Sequence, residues 1–222
     1  MLKALVTGAS GGLGKSLSIA LLEQKYDVYA LGRNREKLDA LESMGCKTLE
    51  CDFLVRGWFD EVVKFCPDVS VLINNAGTFP LRNLEGSTLA DFDSCFEVNV
   101  RTPYRFMQEY VPKMHKQGYG RVVNVLSSSA FAGSADTGIY CASKHALLGL
   151  TRSSFLENRG TNVSVYSVCP GSMKTEMGAT DFRQDYSTFI EPAEVAKFVV
   201  YTLSLNSGMI IDEARLNRTI IR

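Results

Sequence analysis

A short apolar run, Leu2-Lys3-Ala4-Leu5-Val6-Thr7, passes directly into Gly8-Ala9-Ser10-Gly11-Gly12-Leu13-Gly14 and then into an amphipathic stretch reaching about Lys25. That order predicts a strand, a glycine turn and a helix. Glycines in such a turn let backbone approach a pyrophosphate, whose charge is stabilised by the N–H groups and dipole at the helix start. The spacing Thr7-Gly8-x-x-x-Gly12-x-Gly14 departs from the Gly-x-Gly-x-x-Gly dinucleotide fingerprint, so a purely structural turn is the competing explanation.

The alternation of apolar runs and amphipathic stretches continues along the chain. Further strands are expected at 27–31, 47–51, 69–73, 120–126, 163–169 and 208–212. Helices are expected at 35–44, 53–65, 89–116, 137–158 and 191–205. Such an order suits a doubly wound parallel sheet, and 222 residues most naturally make one domain. Residues 172–190 have no clear period and read as a compact substrate loop. The 24 basic and 24 acidic residues are not grouped in long blocks, which argues against a nucleic-acid or anionic-membrane surface and for a small-molecule partner. Six cysteines lack Cys-x-x-Cys spacing and read as small buried hydrophobes in a reducing cytoplasm. Neither a signal peptide nor a membrane-spanning run is expected, and no metal site is predicted.

Chemistry concentrates in Tyr140-Cys141-Ala142-Ser143-Lys144. Residues four apart share a helix face, so the Lys144 ammonium can lie beside the Tyr140 phenol. A nearby positive charge lowers a phenol's pKa and makes a general acid/base of it; by itself the pair equally describes a surface lysine one turn from a half-buried tyrosine. Ser127 follows the fifth expected strand, where serines also form turns. Asn99, inside an apolar helix face, is either a structural tie or part of a polar relay. At the end of the second strand, Gly32-Arg33 replaces the carboxylate that would take a ribose 2′-OH, and Arg33 argues for NADP(H) over NAD(H); a solvated surface arginine is the alternative. Asp52 is placed either for an adenine amino group or as an N-cap of the next helix. Asn74-Asn75-Ala76-Gly77 ends the fourth strand, where small side chains let a cofactor lie close to backbone.

Together, Thr7-Gly8-x-x-x-Gly12-x-Gly14, Asn74-Asn75-Ala76-Gly77, Asn99, Ser127, Tyr140-x-x-x-Lys144 and Pro170-Gly171 through Thr175 resemble the short-chain dehydrogenase/reductase family over nearly the whole chain. The resemblance implies a single-domain Rossmann-type α/β fold with helices on both faces of the sheet. It also implies hydride transfer between nicotinamide and a carbonyl or alcohol carbon, as in the family's carbonyl and 3-oxoacyl reductases. It makes Tyr140 the acid/base, with Lys144 lowering its pKa and holding the nicotinamide ribose. Ser127 would bind the substrate oxygen, and Asn99 a water linking Lys144 to solvent. Gly8, Ser10, Gly12, Leu13, Gly14, Arg33, Asp52, Asn75, Ala76, Gly77, Pro170, Gly171 and Thr175, together with Tyr140 and Lys144, would hold the cofactor, and a homodimer or homotetramer is expected. Two departures stand out. The chain is short for the family, and Ile211-Asp212-Glu213-Ala214-Arg215 replaces the Val-Asp-Gly-Gly of many relatives. A catalytically idle NADP-sensing module that binds a protein partner is the rival; such proteins are expected to lose the serine, tyrosine or lysine, all of which are kept here.

Overall fold

The computed structural model describes residues 1–205 and 209–219. Seven parallel strands form one sheet in the order β3-β2-β1-β4-β5-β6-β7. They are β1 (Lys3–Val6), β2 (Asp27–Gly32), β3 (Lys47–Glu50), β4 (Val71–Asn74), β5 (Gly120–Val125), β6 (Val163–Pro170) and β7 (Glu213–Leu216). Helices α1 (Gly12–Glu23), α2 (Arg35–Ser43), α3 (Trp58–Phe65), α4 (Leu89–Phe96), α5 (Thr102–Gln117), α6 (Gly138–Glu157), α7 (Glu176–Ala179) and α8 (Pro192–Leu203) complete it.

The period of two in the strands produces two cores. Ala4 and Val6 point to the side of α1, α2 and α8, while Leu5 between them points to the side of α3 and α5. On the second side Trp58, Phe53 and Phe106 meet edge to face. All six cysteines are buried and unpaired; burial pushes the Cys46 thiol up to about 11 and the Cys51 thiol to about 12. They are packing residues, as their apolar context suggests. Among the described residues no helix is long and apolar enough to cross a membrane.

Several segments differ from what the periodicity predicts. The helix expected at 53–65 starts at Trp58, because Gly57 takes a left-handed conformation (φ 93°) in front of it. Asp52 is therefore not its N-cap; its carboxylate accepts from the Leu54 N–H at 3.0 Å in a local turn. The long helix over 89–116 is interrupted by a π-turn, Glu97–Arg101, in which the Thr102 N–H donates to the Glu97 carbonyl five residues back. Pro103 has no N–H for the Asn99 carbonyl, where a regular α-helix would need one, so the wider turn forgoes nothing there. The final strand is Glu213–Leu216 rather than 208–212, in register with Ser167–Pro170 of β6; Gly208 itself lies outside the described residues. Residues 172–190 contain α7 and a 3₁₀ turn, Tyr186–Thr188, and close on themselves through a bridge between Met173 and Ile190.

Candidate active site

Strand order reverses between β1 and β4, and the chain leaves their carboxyl ends in opposite directions, opening a crevice. Thr7, a residue the motif reading left without a role, staples the two ends. Its hydroxyl accepts from the N–H groups of Asn75 and Ala76, both at 2.9 Å, while Asn75 Nδ2 donates to the Thr7 carbonyl at 2.9 Å. Gly8 has φ 66°, and a Cβ there would lie 2.8 Å from the Ala76 Cα. A Cβ on Gly14 would sit 2.2 Å from the Gly8 carbonyl oxygen and 2.7 Å from Asn75 Nδ2. The glycines thus let α1 and the ends of β1 and β4 come together. Gly14→Ala is expected to destabilise the fold by about 1–3 kcal/mol through overpacking against backbone that cannot yield, seen as a lower midpoint in urea or thermal unfolding. No side chain caps α1 at Gly11, so the N–H groups of its first turn face the cleft with their partial positive charge. This cradle fits a pyrophosphate.

The cleft encloses about 620 Å³. Ser10, Arg33, Asn34, Lys37 and Asp52 line it at one end and Tyr140 and Lys144 at the other; Gly12, Leu13, Asn75, Ala76 and Gly77 and, from the segment after β6, Met173, Thr175 and Met177 complete the lining. The remaining expected residues stand around it. Gly14 lies beneath the glycine turn, Asn99 behind the cleft wall, and Pro170 ends β6, while the Gly171 N–H is held by the Leu216 carbonyl of β7 at 2.7 Å. At the first end a Cβ on Gly32 would meet the Ser10 Oγ at 2.6 Å. The last position of β2 therefore has no room for a side chain, and Arg33 is the first residue past it. Arg33 is exposed.

At the other end α6 carries Tyr140 and Lys144 on its inner face, 8% and 4% exposed. Lys144 Nζ donates to the Val125 carbonyl at 3.0 Å and lies 5.6 Å from the centre of the Tyr140 ring. Burial raises the Tyr140 phenol to about 12, with the neighbouring Ser127 side chain pulling the other way. Burial also draws the Lys144 ammonium down to about 8. The lowering of the phenol expected from Lys144 is not found: desolvation, which disfavours both charged forms, dominates each shift. Phe79, which the sequence reading passed over, closes edge-on against the Tyr140 ring at 4.7 Å. It is positioned by Asn99. That side chain is fully buried; its Oδ1 accepts from the Thr78 N–H at 2.8 Å, and its Nδ2 donates to the Thr78 carbonyl and to Ser143 Oγ, both at 3.0 Å. Of the two roles open to Asn99, its side chain performs the structural tie, fastening the β4 exit loop to α6.

The 172–190 segment is laced to its surroundings. Asp181 accepts from Arg183 and Gln184, and Arg183 reaches across to the Ala135 carbonyl at 3.0 Å and to Asp136 at 2.9 Å, in the loop before α6. The Arg183 guanidinium holds the Asp181 carboxyl down to about 2. A larger open hollow of about 920 Å³ lies against α4 and α5, lined by apolar side chains such as Phe92 and Tyr104, but the glycine turn and the Tyr140–Lys144 pair belong to the smaller cleft. Among the described residues no group of three or more His, Cys, Asp or Glu is arranged to hold a metal ion.

A parallel sheet with a glycine cradle at its switch point and a buried tyrosine–lysine pair across the same crevice defines a dinucleotide-dependent oxidoreductase architecture. The family model for short chain dehydrogenase matches residues 3–186, and the chain belongs to that family. It is an enzyme acting on CH–OH or C=O groups with NAD(P). An uncharacterized oxidoreductase of Thermotoga maritima is 33% identical over 180 residues, covering 78% of this chain and 72% of that protein. One from Staphylococcus epidermidis is 28% identical over 221 residues, covering 96% and 95%. Among solved structures, a short chain dehydrogenase/reductase family protein superposes with a TM-score of 0.88 at 26% identity, covering 97% of this chain and 95% of that one. A metagenomic short-chain oxidoreductase solved in complex with NADP has a TM-score of 0.83 at 27% identity, covering 99% and 97%.

Proposed function

We propose that the chain is an NADP(H)-dependent oxidoreductase interconverting a carbonyl and a secondary or primary alcohol, with Tyr140 as the acid/base. The observation that carries this reading is the juxtaposition, in one cleft, of the uncapped glycine cradle and the buried Tyr140–Lys144 pair. The cofactor supplies or accepts the hydride. Everything else falls to the chain's own side chains. In reduction the Tyr140 phenol gives its proton to the substrate oxygen, and in oxidation the phenolate takes one. The Ser127 hydroxyl, which already interacts with that phenol, is the second donor to the same oxygen. Lys144, anchored on the Val125 carbonyl, places its ammonium where it stabilises the phenolate and reaches the ribose. Thr175 is offered to the nicotinamide amide, and Asp52 to the adenine.

The preference for NADP(H) is supported by the filled space at Gly32, which leaves no room for a carboxylate there, and by Arg33 beside it. A structurally similar relative carrying NADP is consistent with this. Phe79, Met173 and Met177 give the substrate end apolar walls, which suits ketones, aldehydes or 3-oxoacyl groups. A putative beta-ketoacyl-ACP reductase, 28% identical, is among the similar structures. The compact 172–190 segment serves as the substrate loop in this reading.

The test is a fluorescence titration with NADPH and NADH, followed by a ketone, aldehyde and 3-oxoacyl thioester panel. NADPH is expected to bind the more tightly and to be oxidised with at least one member. Arg33→Asp is expected to weaken NADPH binding about 10–100-fold, the equivalent of a charge-assisted hydrogen bond or two, with NADH little changed. Binding of both nucleotides without turnover of any panel member would favour the NADP-sensing alternative.

A further inference from the structure

We infer that Lys37 is a second specificity-determining cation of the cleft, shared between Glu176 of the substrate loop and the 2′-phosphate of NADP(H), so that the phosphate and the loop compete for it. The inference rests on the dinucleotide reading above and adds a coupling between the two ends of the cleft.

Of the three basic residues around the β2–α2 junction, Arg35 is already engaged. It bonds Asp39 and Glu42 of its own helix and Thr48 of β3, on the side away from the crevice. Arg33 and Lys37 are the two that line the cleft. Lys37 sits in the first turn of α2, its N–H held by the Asn34 side chain at 2.9 Å. Its ammonium forms an ion pair with Glu176, the first residue of α7, 139 positions away in sequence and on the opposite lip of the cleft. The pair therefore bridges the mouth between the phosphate-binding end and the substrate loop. Its side chains are 41% and 82% exposed, a setting in which an ion pair holds weakly and exchanges partners readily. A phosphate monoester carries up to twice the charge of a carboxylate and offers three acceptor oxygens, so it displaces Glu176 from Lys37. Glu176 follows Thr175, whose methyl lies 2.8 Å from where a Cβ on Gly12 would be, and whose hydroxyl caps α7. Release at Glu176 thus acts on the segment that touches the glycine turn. NADH, with no 2′-phosphate, leaves the pair intact. Because coupling is reciprocal, whatever holds α7 against Lys37 must weaken NADP(H) and not NAD(H).

The test is a double-mutant cycle on the full chain. Dissociation constants for NADPH and NADH are measured for wild type, Glu176→Gln, Lys37→Met and the double variant, with amide exchange of residues 177–180 in the nucleotide-free proteins. Glu176→Gln should tighten NADPH about threefold, the size expected of an exposed pair, and leave NADH unchanged. Lys37→Met should weaken NADPH several-fold, again without moving NADH, and Glu176→Gln should have no effect in the Lys37→Met background. Exchange at 177–180 should quicken in both single variants. Equal effects of Glu176→Gln on both nucleotides, its persistence without Lys37, or unchanged exchange would overturn the inference. If that happens while Arg33→Asp still separates NADPH from NADH, the coupling falls alone; if the wild-type protein binds neither nucleotide, the dinucleotide reading falls with it.

Discussion

Tyr140→Phe is expected to bind NADPH about as tightly as wild type and to turn over the best panel substrate about 10²–10⁴-fold more slowly, the range a positioned acid/base contributes. The substitution removes one oxygen and keeps the ring that packs edge-on against Phe79. Ser127 is not orphaned, because its Oγ still accepts from the Ser129 N–H at 3.1 Å. The variant should therefore fold normally, and the loss should appear in kcat rather than in nucleotide affinity. Turnover within a few-fold of wild type, measured by NADPH consumption, would remove Tyr140 from its assigned role.

Lys144→Met should be inactive and yet more stable than wild type near neutral pH. A lysine has an unfolded-state pKa of about 10.4, whereas burial brings Lys144 down to about 8 in the folded chain. Between these values the unfolded state binds more protons than the native state, so wild-type stability rises with pH in that window. Below pH 8 the full cost of burying the ammonium is present; above about pH 10.4 both states hold a neutral amine and the cost is gone. At about 1.4 kcal/mol per pKa unit, less roughly 1 kcal/mol for the lost bond to the Val125 carbonyl, methionine should stabilise the nucleotide-free protein by about 2 kcal/mol at pH 7. The gain should shrink at pH 9.5. Urea midpoints at the two pH values measure it, and a Lys144→Met protein less stable than wild type at pH 7 would show that the ammonium is not held at such a cost. A more stable Lys144→Met protein would mean that the chain keeps a destabilising lysine in its core, a trade seen where active sites oppose folding.

Much of this candidate site is legible in the sequence, and the reason is local. Tyr140 and Lys144 are four residues apart in a helix, so their common face follows from helix geometry. Gly8 and Gly14 follow a strand and open a helix, so the cradle is a property of adjacent residues. Arg33 stands at a strand end, and strand ends in a parallel sheet converge on one edge. What was missed depends on contacts distant in sequence. Phe79 acquires its role only by meeting Tyr140, Thr7 by reaching Asn75, and Lys37 by reaching Glu176. The π-turn left a trace in Thr102-Pro103, but one inserted residue is invisible to a periodicity that spans 28 positions.

The amino-acid order by itself determined the alternation of strands and helices, the parallel sheet they build and the family to which the chain belongs, because hydrophobic period, turn glycines and short-range spacing are written residue by residue. Only the tertiary structure decided where the last strand pairs, which loop the Asn99 side chain fastens, and in which direction burial shifts Tyr140 and Lys144. Those outcomes depend on which distant segment excludes water from a group. For Tyr140 and Lys144, burial in the assembled core disfavours both charged forms and dominates each shift.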